Sequence, residues 1–183
     1  MDDRIRRSRE AVLRATADLL GESGLGGVSV DEVSRRSGVA KTTIYRHWPT
    51  RAALVVDACS RLSADPAVPD TGTVEGDVTA LLTAITELLR TARWSSVMPS
   101  IVDAAERDPE LAEVHRRIQE GHMAPFRTVI ARAVHRGELP PDTDAAALIA
   151  GLVGPLFYRR WFSRDPLDAP FVARVVRHAL GAG

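Results

Sequence analysis

Between positions 41 and 51 the chain reads Lys-Thr-Thr-Ile-Tyr-Arg-His-Trp-Pro-Thr-Arg, a run dense in hydrogen-bond donors. Thr42, Thr43 and Tyr45 offer hydroxyls that suit phosphates or base edges, and a threonine methyl can meet a thymine methyl. Lys41 and Arg46 can form charge-assisted bonds to phosphate or pair with guanine. His47 adds a further donor, while Ile44 and the Trp48 ring supply an apolar side that can be buried. Such a mixture suits a short helix that packs on its own domain by one face and meets a nucleic acid with the other.

The residues upstream would position that helix. Ser29 has N-cap character, with Glu32 at capping-box spacing. A helix from Ser29 to about Ser37 would bury Val30, Val33 and Ser34 and expose Arg35 and Arg36. Gly38 supplies a tight turn, and Val39 points to the small interhelical core. The donor-rich helix covers about 41–47 and Pro49 stops it. This is helix-turn-helix patterning, in which the second helix enters the major groove and the first crosses the backbone. The orphan N–H groups at Ser29 can receive a phosphate, and Arg51 stands near enough for another. Arg35 and Arg36 read as ordinary surface charges. Arg4, Arg6 and Arg7 have two readings, as braces on a DNA backbone or as solubilising charge on a fraying helix.

Ahead of this element, a helix of about 2–22 carries Ile5, Val12, Ala15, Leu19 and Leu20 on one face, and Ser23-Gly24 ends it. After it, Thr50 caps a helix of about 51–63 with Leu54, Val55, Ala58 and Leu62 inward and Asp57 and Arg61 outward. Asp65-Pro66-Ala67-Val68-Pro69-Asp70-Thr71-Gly72 excludes a continuous helix and marks a boundary. We therefore expect a DNA-binding domain at 1–50, a connecting helix at 51–63 and a C-terminal domain at 73–183. Within the latter, Val74, Val78, Leu81, Leu82, Ile85, Leu88 and Leu89 form an amphipathic stripe. Further helices are expected at about 100–107, 110–136, 142–160 and 168–180, with a break near Pro99 and a kink or split at Gly121 to Pro125. No segment alternates with period two, so the expected fold is all-α.

Composition bounds the function. The 183 residues carry 24 cationic and 24 acidic side chains, a formal net charge of zero. The distribution is uneven: ten Lys+Arg against seven Asp+Glu in 1–51, and fourteen against seventeen beyond. A local basic face matters to phosphate more than the total does. The single cysteine, Cys59, rules out an internal disulfide framework and reads as a small core residue. The N-terminus lacks a signal-peptide core, and the uncharged run 145–158 is too short for a bilayer. A cytoplasmic protein without a membrane partner is expected.

Residues 9–55 resemble the DNA-binding domain of the tetracycline-repressor (TetR) family of bacterial regulators. The resemblance rests on Ala11 through Leu20, Gly24, Val28-Ser29-Val30, Ser37-Gly38-Val39-Ala40, Thr43-Ile44-Tyr45-Arg46-His47-Trp48 and Leu54. Trp48 replaces the usual Phe and Arg51 a frequent Lys. The resemblance implies three N-terminal helices for DNA and a larger helical domain that binds a ligand and forms a homodimer. It implies that Thr42, Thr43, Tyr45 and His47 contact DNA, mostly at phosphates, with Lys41 a candidate base reader. Gly154-Pro155-Leu156-Phe157-Tyr158-Arg159 resembles a stretch of many members' dimerising helix.

The run 145–158 is apolar around its circumference and must be covered on several sides. With the stripe of the last helix, it predicts a four-helix interface about a two-fold axis, using Leu148, Gly151, Leu152, Leu156, Phe171, Val175, Val176 and Ala179. Two linked copies would read half-sites of a palindromic operator roughly 34–36 Å apart. Trp94, Met98, Ile101, Phe126, Ile130, Leu152 and Trp161 are candidates to line a pocket for an unknown small-molecule effector, with His115, His122 or Arg127 as its polar groups. Each also reads as plain core or surface. His115 and His122 lie seven apart with no Cys or carboxylate in register, so no metal site and no cofactor is expected. An enzyme would need Asp103, Glu106 or Glu110 to act with His115, but Asp108-Pro109 interrupts them. No nucleophile elbow or phosphate loop occurs, so no catalytic residue is assigned. A ligand-blind dimeric DNA-binding protein remains the alternative to a ligand-responsive repressor.

Overall fold

The computed structural model describes residues 3–62, 68–90 and 92–181. Every regular element among the described residues is helical. In chain order these are α1 (Asp3–Ser23), a 3₁₀ turn (Leu25–Gly27), α2 (Val30–Ser37), α3 (Lys41–His47), α4 (Arg51–Leu62), α5 (Val74–Arg90), α6 (Ala92–Ala105), α7 (Pro109–His135), α8 (Ala145–Tyr158), a π turn (Arg159–Ser163) and α9 (Ala169–Ala179). The expected break at Asp65-Pro66-Ala67 lies outside the described residues. The chain divides into two compact units, one of residues 1–65 with 92–120, the other of 66–91 with 121–183.

The first unit is built on α1, which packs against α2, α4 and α6. Val12, Leu19 and Leu20 of α1, Leu25 of the 3₁₀ turn, Val33, Ile44, Leu54 and Val55 are all buried. Removing each such side chain from water is worth about 1.5–3 kcal/mol. Local chemistry sets the ends of the helices. Ser29 Oγ accepts the Glu32 N–H at 3.2 Å at the start of α2, Gly38 closes that helix in the left-handed conformation at φ 69°, and Thr50 Oγ1 accepts the Ala53 N–H at 3.1 Å. The Glu32 side chain forms no reciprocal capping bond; it binds Arg35 and Arg36. Those two pairs hold its carboxyl at about 2, below the ordinary range. Cys59 is buried, and burial pushes its thiol up to about 12.

One helix differs from its expected bounds, and the split allowed within another is absent. A helix runs through Pro99, from Ala92 to Ala105, where a break was predicted. Proline there removes one helical hydrogen bond, and the buried Val97, Met98 and Ile101 on either side of it hold the segment against that loss. Likewise α7 passes Gly121 and Pro125 without splitting, anchored beyond them by Phe126, Val129 and Ile130.

In the second unit α5 packs on α8 and α9, and α8 packs on α9. Asp144 caps α8 by accepting the N–H groups of Ala146 and Ala147 at 2.9 and 3.0 Å. Asp168 caps α9 through the Phe171 N–H at 2.8 Å. Asp77, fully buried in α5, takes the Thr71 N–H at 2.6 Å and hydroxyl at 2.9 Å, and faces Arg132 and Arg136 of α7 at 3.7 and 3.6 Å.

The last helices sort their side chains by size. The α8 circumference is apolar but graded by size: Ile149, Leu152, Val153 and Leu156 turn inward, and Ala147, Ala150, Gly151 and Gly154 face out. Of the eight residues expected at a subunit interface, Leu152, Leu156, Phe171, Val175 and Val176 are buried within their own chain. Leu148 and Ala179 are half-buried, and Gly151 is exposed.

Candidate nucleic-acid interface

The two sides of α3 differ as a groove-reading helix requires. Ile44 is 1% exposed and Trp48, just past the helix, is 4% exposed, whereas Tyr45 is 50% exposed. Lys41, Thr42, Arg46 and His47 are also exposed, and Thr43 is half-buried. The fold therefore brings six of the eight expected DNA-facing residues onto one short element. Lys41 forms an ion pair with Asp31 of α2, and both side chains are largely solvated. Such a pair contributes little and is readily exchanged for a phosphate or base. The edge of the His47 ring meets Trp48, with centroids 5.7 Å apart.

Ser29 lies outside α3 at the exposed start of α2, and its oxygen is already engaged in the cap. The hydroxyl hydrogen stays available to a phosphate oxygen there. Arg51 is used differently from the expectation. Its Nε donates to the Val28 carbonyl at 2.7 Å and an Nη donates to the Leu25 carbonyl. The side chain thereby ties the start of α4 to the segment entering α2, and only its remaining nitrogens could reach DNA.

The base of α3 is held by a cluster of three residues that local patterning did not reveal. Trp48 Nε1 donates to Asp57 Oδ2 at 2.9 Å, and Arg9 Nη2 reaches the same oxygen at 2.8 Å. The Arg9 guanidinium also sits 5.7 Å from the Trp48 ring centroid. Asp57 thus points inward, contrary to the outward position expected from α4 periodicity. A signal was present: a buried indole N–H needs an acceptor, and Asp57 is the nearest downstream carboxylate.

The candidate effector-lining residues do not form one described cavity. Met98 and Ile101 are buried in the first unit, and Phe126, Ile130 and Leu152 are buried in the second. The Trp94 side chain lies outside the described residues. Trp161 rests against Phe157 at 5.1 Å, and its Nε1 has no hydrogen-bond partner among the described residues. His115 approaches Gln119 at 3.5 Å, and His122 is half-buried, its pKa pushed down by burial. Among the described residues no helix is long and apolar enough to cross a membrane.

Capped α2, the Gly38 turn and a short α3 with a donor-covered outer face define a helix-turn-helix transcriptional regulator. Residues 12–58 match the model of the bacterial regulatory proteins of the tetR family, and residues 68–179 match the tetracyclin repressor-like C-terminal domain. The chain belongs to the TetR family. It is 31% identical over 94% of its length, and 88% of the other protein's, to an uncharacterized HTH-type transcriptional regulator, YdeS, of Bacillus subtilis (strain 168). It is 30% identical over 94% of its length, and 92% of the other's, to the DNA-binding transcriptional repressor TetR of Mycobacteroides abscessus (strain ATCC 19977). The crystal structure of the TetR family transcription regulator SCO0332 superposes with a TM-score of 0.75 at 30% identity, covering 96% of this chain and 98% of that one. The protein is accordingly a DNA-binding transcriptional regulator and not an enzyme.

Proposed function

We propose that this protein is a cytoplasmic repressor that binds a palindromic operator as a homodimer and leaves it when a small apolar or amphipathic ligand binds the C-terminal domain. The observation that carries this reading is the contrast within α3 between buried Ile44 and the exposed face of Lys41, Thr42, Tyr45, Arg46 and His47. One seven-residue helix covers only a few base pairs, so two copies on successive turns of one duplex give the contact a usable specificity. Repression is supported by the M. abscessus relative, whose name states that role.

For the second copy, the outer face of α8 is the natural docking surface. Ala147, Ala150, Gly151, Gly154 and Tyr158 follow one another at helical spacing and are all exposed. Small residues there let two helices approach closely, while Tyr158 stacks on Phe162, itself 75% exposed, with centroids 5.8 Å apart.

Selection of duplexes from a random library by the full chain, followed by gel shifts over a range of salt, tests the reading. Enrichment of an inverted repeat and a steep fall of affinity with salt are expected, because phosphate contacts release counterions. Tyr45→Ala and Arg46→Ala should each weaken binding at least tenfold with an unchanged melting temperature. Salt-independent binding, or no enriched repeat, refutes it.

A further inference from the structure

The second unit contains an open cleft of about 690 Å³ between the C-terminal end of α5, the π turn with the loop after it, and the start of α9. Arg90, Arg159, Arg160 and Arg164 line it, against Glu87, Asp165 and Asp168. Each acidic group has a contact of its own. Glu87 stands 3.5 Å from Arg90, Asp165 accepts the Ser163 hydroxyl at 2.8 Å, and Asp168 caps α9.

The arginines are not equally committed. Arg159 donates to the Pro166 carbonyl at 2.6 Å and lies 3.7 Å over the Phe171 ring, so it is part of the packing. Arg160 is fixed by its Nε, which donates to the Leu89 carbonyl at 3.0 Å, leaving the terminal nitrogens without a hydrogen bond among the described residues. Arg164 has no partner among them. A separate observation points the same way. Thr86 lines the cleft at 5% exposure, and its buried Oγ1 has no hydrogen-bond partner among the described residues. A buried hydroxyl left unpaired costs free energy unless something arrives to pair it. Leu167, with Pro166 and Ala169, makes the accessible part of the remaining wall apolar.

We propose that this cleft binds a small amphipathic organic anion, its carboxylate or sulfonate taken by Arg160 and Arg164, its apolar body lying along Leu167 and Ala169, and the Thr86 hydroxyl hydrogen-bonded to it. Guanidinium groups with uncommitted N–H donors suit planar and tetrahedral oxyanions alike. This names the chemical class of the effector, and so builds on the ligand-responsive reading above.

Titration of the full chain with 8-anilinonaphthalene-1-sulfonate and with the uncharged N-phenyl-1-naphthylamine, followed by fluorescence, tests it. The two dyes share an aromatic body and differ in charge. The sulfonate should bind saturably and at least tenfold more tightly than the neutral dye. Arg164→Gln should weaken the sulfonate about tenfold and leave the neutral dye unchanged; the side chain is exposed and has no partner among the described residues, so the melting temperature should hold. Thr86→Val, isosteric in the wall, should weaken it about threefold. Equal affinity for the two dyes, or sulfonate binding indifferent to both Arg164→Gln and Arg160→Gln, overturns the proposal. Gel shifts of the dye-free protein keep the two readings apart: loss of DNA binding with the dye results as expected would sink the repressor reading and leave the cleft standing.

Discussion

Trp48 and Asp57 are joined by a 2.9 Å hydrogen bond from the indole Nε1 to a carboxylate oxygen that Arg9 also holds. Trp48 directly follows α3, and Asp57 lies on α4, so this bond fixes the C-terminal end of α3 to its neighbour. The orientation of Tyr45 and Arg46 toward solvent depends on that attachment.

Asp57→Ala should therefore affect both stability and DNA binding. Removing the acceptor strands a part-buried indole N–H and a guanidinium, a loss of about 1–3 kcal/mol. Thermal unfolding should show the decrease, and operator affinity should fall by more than global unfolding accounts for. Asp57→Asn keeps an oxygen for Trp48 and weakens only the Arg9 pair, so it should retain most of both. Equal damage by the two variants would refute the role given to the indole bond.

The helix-turn-helix was legible because each of its parts has its own local chemistry. Ser29 caps, Gly38 takes a left-handed turn, Ile44 is the apolar residue amid polar neighbours, and the chain turns off at Pro49. Asp57 was misjudged because helical periodicity separates apolar from polar faces and cannot see a polar residue recruited by a buried indole. Pro99 was misjudged because the helix-breaking tendency of proline is local, whereas the packing of Val97 and Ile101 that overrides it is not. On α8 the apolar run alone could not separate Leu152 and Leu156, which fill the chain's own core, from Gly151, which stays exposed, because side-chain size decides that sorting. The arginine cleft left no local signal at all: Arg90 and Arg164 lie 74 positions apart and meet only through the packing of α5 on α9.

Gly24 and Gly38 both have positive φ, at 64° and 69°, but their surroundings differ. A Cβ at Gly24 would stand 2.9 Å from Ser100 Cβ, whereas nothing lies within 4 Å at Gly38. Ser100 cannot easily withdraw, since its hydroxyl accepts the Leu25 N–H at 3.3 Å and donates to the Val97 carbonyl at 2.7 Å. Gly38→Ala should lose about 1–2 kcal/mol, the cost of left-handed backbone alone. Gly24→Ala should lose distinctly more, adding the clash. Chemical denaturation of the two variants checks the order, and equal losses would remove Ser100 from the account.

The exposed face of α8 gives a prediction that separates assembly from folding. Among the described residues nothing lies within 4 Å of a Cβ added at Gly151, so Gly151→Glu leaves the isolated chain unstrained. If two α8 faces meet closely, a carboxylate there is buried without a partner. Sedimentation should then report monomers with an unchanged helical spectrum, and operator affinity should collapse. A Gly151→Glu protein that remains dimeric would move the subunit interface to another surface.

Asp77 gives the protein a pH dependence whose direction follows from its contacts. Burial raises its pKa, but the Thr71 N–H and hydroxyl, Arg132 and Arg136 outweigh burial and hold the carboxyl below its ordinary value of 3.8. A carboxyl depressed in the folded state binds its proton more readily when unfolded, so acid favours unfolding. Its contribution is complete above the unfolded value and is lost as pH falls through the lower, folded one. Asp77→Asn keeps the shape and an oxygen for Thr71 while discarding the charge that faces both arginines. At neutral pH it should be destabilised by about 2 kcal/mol, the scale of hydrogen bonds to a charged group. As the pH is lowered past 4, the gap between variant and parent should narrow, because the parent's carboxyl also becomes neutral. Urea unfolding at a series of pH values measures that gap. A difference that stays constant down to pH 2 would mean that Asp77 acts by shape and hydrogen bonding alone, with its charge contributing nothing to the tie between α5 and α7.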